Sequence, residues 1–257
     1  LKIVVCVKQV PDSAATVEVE NGKVTWGDAP LVINPWDEYA VEAALNLIED
    51  QGGDVVVVSL GGEEDKEAIK HALAMGAGEA VLVSDPALKG VDAGGTARVL
   101  ASAIDKISDV DLVLFGKQSI DNDSGLMAAQ VARCLGWPAI TLVSSITNLG
   151  DGSIQVERSI EEGRQVVEGK LPAVMSITKD YGEPRYPSFM GIRKASRAQV
   201  PVWDLNDLGI DAPESVVSWP EVMNPPKRDV TTEVIEGDSP EDIAIKIVDK
   251  IMEEKVL

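Results

Sequence analysis

Three short loops hold the residues whose types and spacing suit the binding of a phosphate. They are KQVPDS (8–13), SLGGEED (59–65) and GKQSIDNDSG (116–125), and each follows an apolar run. Gly61 and Gly62 let backbone approach a ligand, and free amides at a helix start attract an anion. None of the three is a G-x-G-x-x-G or P-loop signature. The third loop carries two aspartates, which leaves two readings open. It is a phosphate cradle, or it is a solvated turn in which Asp123 or Ser124 caps the next helix. Asp121 is then expected to accept from loop amides. Lys8 reads as a phosphate contact or a solvated strand end, and Trp36 as a lid, a stacking residue or a core-edge tryptophan.

Side-chain chemistry is harder to find. The single histidine, His71, lies in a helical pattern, so a metal site or histidine-based triad has almost nothing to build on. Cys6 and Cys134 sit in apolar patterns and read as two buried thiols in a reducing compartment. A net charge of −20 disfavours nucleic acid, whose backbone needs a basic face. No stretch approaches the roughly 18 apolar residues of a membrane span, and no signal peptide opens the chain. The expectation is a soluble, cytosol-like protein that binds and positions something rather than reacting through its own side chains.

The elements that must position these loops alternate. Continuous apolar runs at IVVCV (3–7), DVVVVSL (54–60), EAVLVS (79–84) and DLVLFG (111–116) are separated by helical patterns. In the first of those helices, Val41, Ala44, Leu45 and Ile48 recur at i, i+3, i+4 and i+7. Such alternation predicts βαβ units and a doubly wound parallel sheet, with ligands beyond the carboxyl ends of its strands.

After residue 145 the pattern changes. SIQVERSI and RQVVEGKL, joined through EEG, predict an antiparallel hairpin, and PAVMSIT (172–178) another buried strand. Residues 179–199 form an irregular loop rich in proline, glycine, aromatics and positive charge. Residues 1–200 are expected to be one α/β domain including that loop. Residues 201–257 are expected to be an arm ending in the helix SPEDIAIKIVDKIMEEK, with Ser239 at its N-cap and Pro240 at N1. Ala244, Ile247, Val248 and Ile251 give that helix an apolar stripe suited to docking on a partner chain.

Several segments together resemble one family, the β subunit of electron-transfer flavoprotein. They are VCVKQVPDS (5–13), INPWDEYAVEAAL (33–45), ALAMGA (72–77), DLVLFGKQSIDNDSG (111–125), LGWPA (135–139), KLPAVMSIT (170–178) and EPRYPSFMGIRKA (183–195). They occur in the family's order across nearly the whole chain.

The resemblance implies an adenine-nucleotide hydrolase-like domain and a heterodimer with an α subunit that holds most of an FAD. It implies an electron carrier subunit rather than a stand-alone enzyme. Electrons pass between a flavoprotein such as an acyl-CoA dehydrogenase, in fatty acid β-oxidation, and a quinone reductase. The β pocket holds AMP, or a second FAD in electron-bifurcating members that oxidise NADH. Carried onto this chain, the pocket is lined by Cys6, Asn34, Pro35, Trp36, Asp37, Leu60, Gly116, Lys117, Gln118, Ser119, Ile120, Asp121, Asn122, Asp123, Ser124, Gly125, Leu126 and Met127. Gly125-Leu126-Met127 replaces the Asn-Gln-Thr run of AMP-type members, so Ser124 and backbone amides must hold the phosphate.

Val10, Ser13 and Trp36 are expected near the α-held flavin. Glu183, Pro184, Arg185, Tyr186, Phe189, Met190, Ile192, Arg193 and Lys194 match the loop that grips the partner dehydrogenase. Phe189 stands at its tip, Arg185 orders the loop, and Arg193, Lys194 and Arg197 steer an acidic donor. A stand-alone nucleotide-binding module of the universal-stress type shares the sheet pattern, but it ends near residue 145 and lacks the EPRY loop.

Overall fold

The computed structural model describes residues 1–63, 65–226 and 232–254. Glu64 of the second loop, residues 227–231 of the expected arm and the end of that arm from Lys255 on lie outside the described residues. The chain divides into two compact units, Leu1–Val222 and Met223–Leu257.

The first unit is built on nine strands: β1 (Lys2–Cys6), β2 (Asp54–Leu60), β3 (Glu79–Val83), β4 (Leu112–Gly116), β5 (Ala139–Gly150), β6 (Ser153–Ile160), β7 (Gly163–Lys170), β8 (Ala173–Ile177) and β9 (Val202–Trp203). Their order in the sheet is β7-β6-β5-β8-β4-β1-β2-β3-β9. The run from β5 to β9 is parallel, and β6 joins β5 and β7 as the antiparallel hairpin.

The apolar runs are continuous because both sheet faces are covered. Ile3, Val5, Val55, Val57, Leu112 and Leu114 share one core with α1 (Pro35–Gln51) and α2 (Glu67–Met75). Val4, Cys6, Val56, Val58, Val113 and Phe115 share the other with α3 (Ala93–Ile107) and α4 (Met127–Leu135). Period-2 alternation along each strand thus feeds two helical layers.

The chain runs outward from β1 through β2 to β3, then returns through α3 to place β4 on the other side of β1. That reversal opens a crevice beyond the carboxyl ends of β1 and β4, where doubly wound sheets bind ligands. The boundary expected at residue 200 falls inside this unit. Val202–Trp203 pairs with β3, and the short helix α6 (Leu205–Leu208) buries Leu205 in the second core.

The expected loop at 179–199 contains a helix, α5 (Phe189–Ala195), capped by the Ser188 hydroxyl, which accepts from the Gly191 amide at 3.0 Å. A Cβ on Gly191 would lie 2.1 Å from the Ala74 carbonyl oxygen, so glycine is required where α5 lies on α2. In the second unit, α7 (Pro240–Glu253) is capped by Ser239 and buries no side chain. No helix among the described residues is long and apolar enough to cross a membrane.

Candidate functional site

The crevice at the reversal holds a cavity of about 320 Å³. Two polar residues from the start of α1 hold its walls together. Asn34 and Asp37 are 1% and 6% exposed, so their polar atoms need partners. The Asn34 side-chain amide donates to Asp37 Oδ1 at 2.9 Å and to the Gln118 carbonyl at 2.8 Å. Asn34 Oδ1 accepts from the Ile120 amide at 3.1 Å. Asp37 Oδ2 accepts from the Lys8 amide at 2.8 Å, and the Gly116 amide also donates to this carboxylate. One pair of residues therefore joins the loop after β1 to the loop after β4.

Burial pushes the Asp37 carboxyl up to about 7, against hydrogen bonds from Asn34, Lys8 and Gly116 that favour its ionised form. Burial likewise drives the Cys6 thiol far above its usual range, with the nearby Asp37 charge adding to the effect. Cys6 is thus an inert wall.

Three helices begin near the carboxyl edge of the sheet after β2, β3 and β4, and their first amides decide where an anion fits. At α2, Gln9 Oε1 reaches across from the first loop and accepts from the Glu67 and Ala68 amides at 2.8 and 3.2 Å. Gln9 also donates to Asp65 at 3.0 Å, and Asp65 accepts from the Gly62 amide at 2.9 Å. The glycine loop at 59–65 is therefore closed by the chain's own side chains. At α3, Asp92 accepts from Gly95 at 2.7 Å and from the Val216 and Val217 amides at 2.7 and 3.1 Å, which holds its carboxyl below the usual range.

At α4 the N-cap is Leu126, with no side-chain hydrogen bond. The expected caps do not form. Asp123 adopts φ 58° and accepts instead from the Gln118 side chain. Asp121 pairs with the Lys8 ammonium at 2.5 Å rather than with loop amides. The aspartates tie the loop to itself and to Lys8, and leave the start of α4 open.

Of the expected pocket residues, Cys6, Asn34, Asp37, Leu60, Gly116, Lys117, Gln118, Ser119, Asn122, Ser124, Gly125, Leu126 and Met127 line the cavity. Pro35, Trp36, Ile120, Asp121 and Asp123 do not. Ile120 and Asp121 act through Asn34 and Lys8, and Trp36 lies under the Lys117 ammonium, 5.3 Å from the ring centroid. The sequence reading missed an apolar wall of Leu88, Val91, Leu100 and Phe115, and also Thr96. Leu88, Val91, Thr96 and Leu100 sit on and before α3 and carry no motif, and Phe115 sits on β4 within the DLVLFG run.

Val10, expected near an external flavin, is fully buried, because alternate residues of the small ribbon 9–11 pairing with 31–33 point inward. Ser13 is exposed. Cys134, expected to be buried, is exposed. It lies one position off the stripe formed by Ala128, Val131 and Ala132, which faces the core.

The 183–195 segment is held by one arginine. Arg185 Nε and its backbone amide donate to Glu42 at 2.8 and 3.0 Å, and the guanidinium reaches Asn46 at 2.9 Å and Glu49 at 2.5 Å. These acceptors lie on successive turns of α1, and the two carboxylates raise the Arg185 pKa further. With Arg185 so occupied, Tyr186, Phe189 and Met190 stand 95%, 93% and 72% exposed. Charge-assisted bonds of this kind contribute about 1.5–3 kcal/mol each when shielded and less when half-exposed. Arg185→Ala is expected to cost about 1–3 kcal/mol overall. Thermal denaturation, with proteolysis mapped to 179–199, measures both the cost and the loosened loop.

Comparison with known proteins gives a consistent picture. Residues 24–208 match the family described as the electron transfer flavoprotein domain. The chain is 35% identical, over all of both chains, to the caffeyl-CoA reductase-Etf complex subunit CarD of Acetobacterium woodii. It is 34% identical, again over all of both, to the electron transfer flavoprotein subunit beta of Megasphaera elsdenii. The same-named subunit of Thermoanaerobacterium thermosaccharolyticum is 39% identical over 83% of this chain and 82% of its own length.

Proposed function

Because the chain belongs to the electron transfer flavoprotein family, as a β subunit, we propose that it is the static half of an αβ heterodimer that carries electrons and holds an adenine nucleotide in the crevice between β1 and β4. The observation that carries the nucleotide reading is the uncapped start of α4 opening into that cavity, while α2 and α3 are closed by Gln9 and Asp92. An anion at a helix N-terminus satisfies amides that nothing else meets.

In this reading the Ser124 hydroxyl and the first amides of α4 take the phosphate. Leu88, Val91, Leu100 and Phe115 give the base an apolar slot. Asn34 and Asp37 keep the two loops in register. AMP is the expected occupant, with a structural role. The FAD, held mainly by the α subunit, supplies the electron chemistry when bound. This chain gives that flavin part of its surroundings, with Ser13 and Trp36 as the candidate contacts. The exposed residues Tyr186, Phe189, Met190 and Ile192 grip a flavoprotein donor such as an acyl-CoA dehydrogenase. Arg193, Lys194 and Arg197 steer it, and electrons leave to a quinone reductase. Helix α7 and the arm before it dock on the α subunit. The chain works in the cytoplasm.

A second reading places another FAD in the cavity, in an electron-bifurcating complex that oxidises NADH. It is favoured by Gly125-Leu126-Met127, which offers a phosphate no polar side chain. Co-expression with the α partner, followed by counting flavin and AMP per heterodimer, separates the two. One FAD and one AMP supports the first, and two FAD without AMP supports the second.

Phe189 gives a further test. An aromatic side chain this exposed on a well-anchored helix has the anatomy of an interface anchor. Phe189→Ala is expected to leave the heterodimer and its flavin intact and to raise the apparent KM for the electron donor about tenfold or more. An unchanged KM would remove the residue from the interface.

A further inference from the structure

A carboxylate lines this cavity with no basic side chain bonded to it; the Lys8 ammonium attracts it only through space. Asp37 is 6% exposed, and its contacts are the Lys8 and Gly116 amides and the Asn34 side-chain amide. The titratable groups that act on it are Cys6 on β1 and Lys8 after β1, and the neighbouring charged residues of the same loops and helix are Lys117, Asp121 and Glu38. The Lys8 ammonium is paired with Asp121 at 2.5 Å, and the Lys117 ammonium lies over Trp36. Glu38 faces His71 at 2.8 Å, and Cys6 is a buried neutral thiol. Among the described residues, no basic side chain is hydrogen-bonded or ion-paired to Asp37.

We propose that binding of an anionic nucleotide in this cavity is coupled to proton uptake by Asp37. The inference rests on the nucleotide reading given above. Filling the cavity brings a second negative charge into the crevice that this carboxylate lines. A like charge nearby disfavours the ionised acid. The group is poised for this, because burial already holds it at about 7. At pH 8 the carboxyl of the empty pocket is then mainly ionised, and an anion that pushes the value higher draws a proton from solvent.

The sign follows from linkage. A raised pKa in the closed pocket means that ligand affinity falls as pH rises above about 7, by up to about tenfold per pH unit. The same raised value makes stability of the empty chain fall between about pH 4 and 7 and level off above, since the folded form binds the proton more tightly than the unfolded one.

The test is calorimetric titration of the nucleotide-stripped heterodimer with AMP and with FAD at pH 8, in two buffers of different ionisation enthalpy. At that pH the AMP phosphate, with a second pKa of about 6, is already a dianion and contributes little. Net proton uptake on binding is expected in the unaltered protein, and near zero in Asp37→Asn. In case the variant folds poorly, the infrared difference spectrum of the unaltered protein with and without ligand is expected to gain a protonated-carboxyl band. Binding without uptake and without that band overturns the coupling but leaves the nucleotide reading standing. If neither AMP nor FAD binds at any pH, the nucleotide reading fails and takes this inference with it.

Discussion

Replacing Leu126 with aspartate is expected to weaken nucleotide binding by about 100-fold or more while leaving the fold intact. Leu126 is 50% exposed at the N-cap of α4, so its loss removes little packing. A carboxylate there meets the positive end of the helix and contributes about 0.3–1 kcal/mol of stability. The same charge stands where the proposed nucleotide places its phosphate. It competes for the free amides and repels the ligand in a partly enclosed site, a combined penalty of roughly 3 kcal/mol. Leu126→Asn supplies a neutral side chain of the same shape and separates the two causes. It should weaken binding far less than the aspartate. Equal affinity in the aspartate variant and the unaltered chain, measured by calorimetry, would place the phosphate elsewhere.

The second large effect is expected at Gly116. A Cβ there would lie 2.5 Å from both Asp37 Oδ1 and the Trp36 carbonyl carbon. Those atoms belong to the start of α1, which is fixed by its own helix and by the Asn34 network, so neither can move aside cheaply. Gly116→Ala is expected to cost about 3 kcal/mol or more and to abolish nucleotide retention, because α1 must pull away from β4. Gly125, in the same loop, behaves differently. Its φ of 61° favours glycine, but the nearest atom to an added Cβ is 3.5 Å away. Gly125→Ala should cost only about 1 kcal/mol. Denaturant midpoints of the two variants distinguish a demand for space from one for backbone freedom.

Much of this architecture is legible in the residues. Valine- and isoleucine-rich runs bounded by glycine gave the parallel strands, because a strand covered on both faces has no polar side. The EEG turn gave the hairpin. The site was legible in part. The GKQ-x-ID-x-D segment marked the loop, but the capping pattern could not be read locally. Gln9 closes α2 from about one βα unit away in the chain, and the Asp123 side chain turned to Gln118 rather than to the helix after it. Leu88, Val91 and Leu100 were missed because an apolar wall is indistinguishable in sequence from a core. The tie between Asp92 and residues 215–217 was missed because it joins segments far apart.

On the proposed donor-gripping role of 183–195, the Arg185 clamp bears on how donor preference can be exchanged between relatives. The exposed residues Tyr186, Phe189 and Met190 form a detachable cassette, and Glu42, Asn46 and Glu49 on α1 are its socket. A chimera that receives residues 183–195 alone inherits the plug without the fitting. One that also receives the three α1 side chains keeps the graft seated. The cavity at the other end of the same helix then needs no alteration.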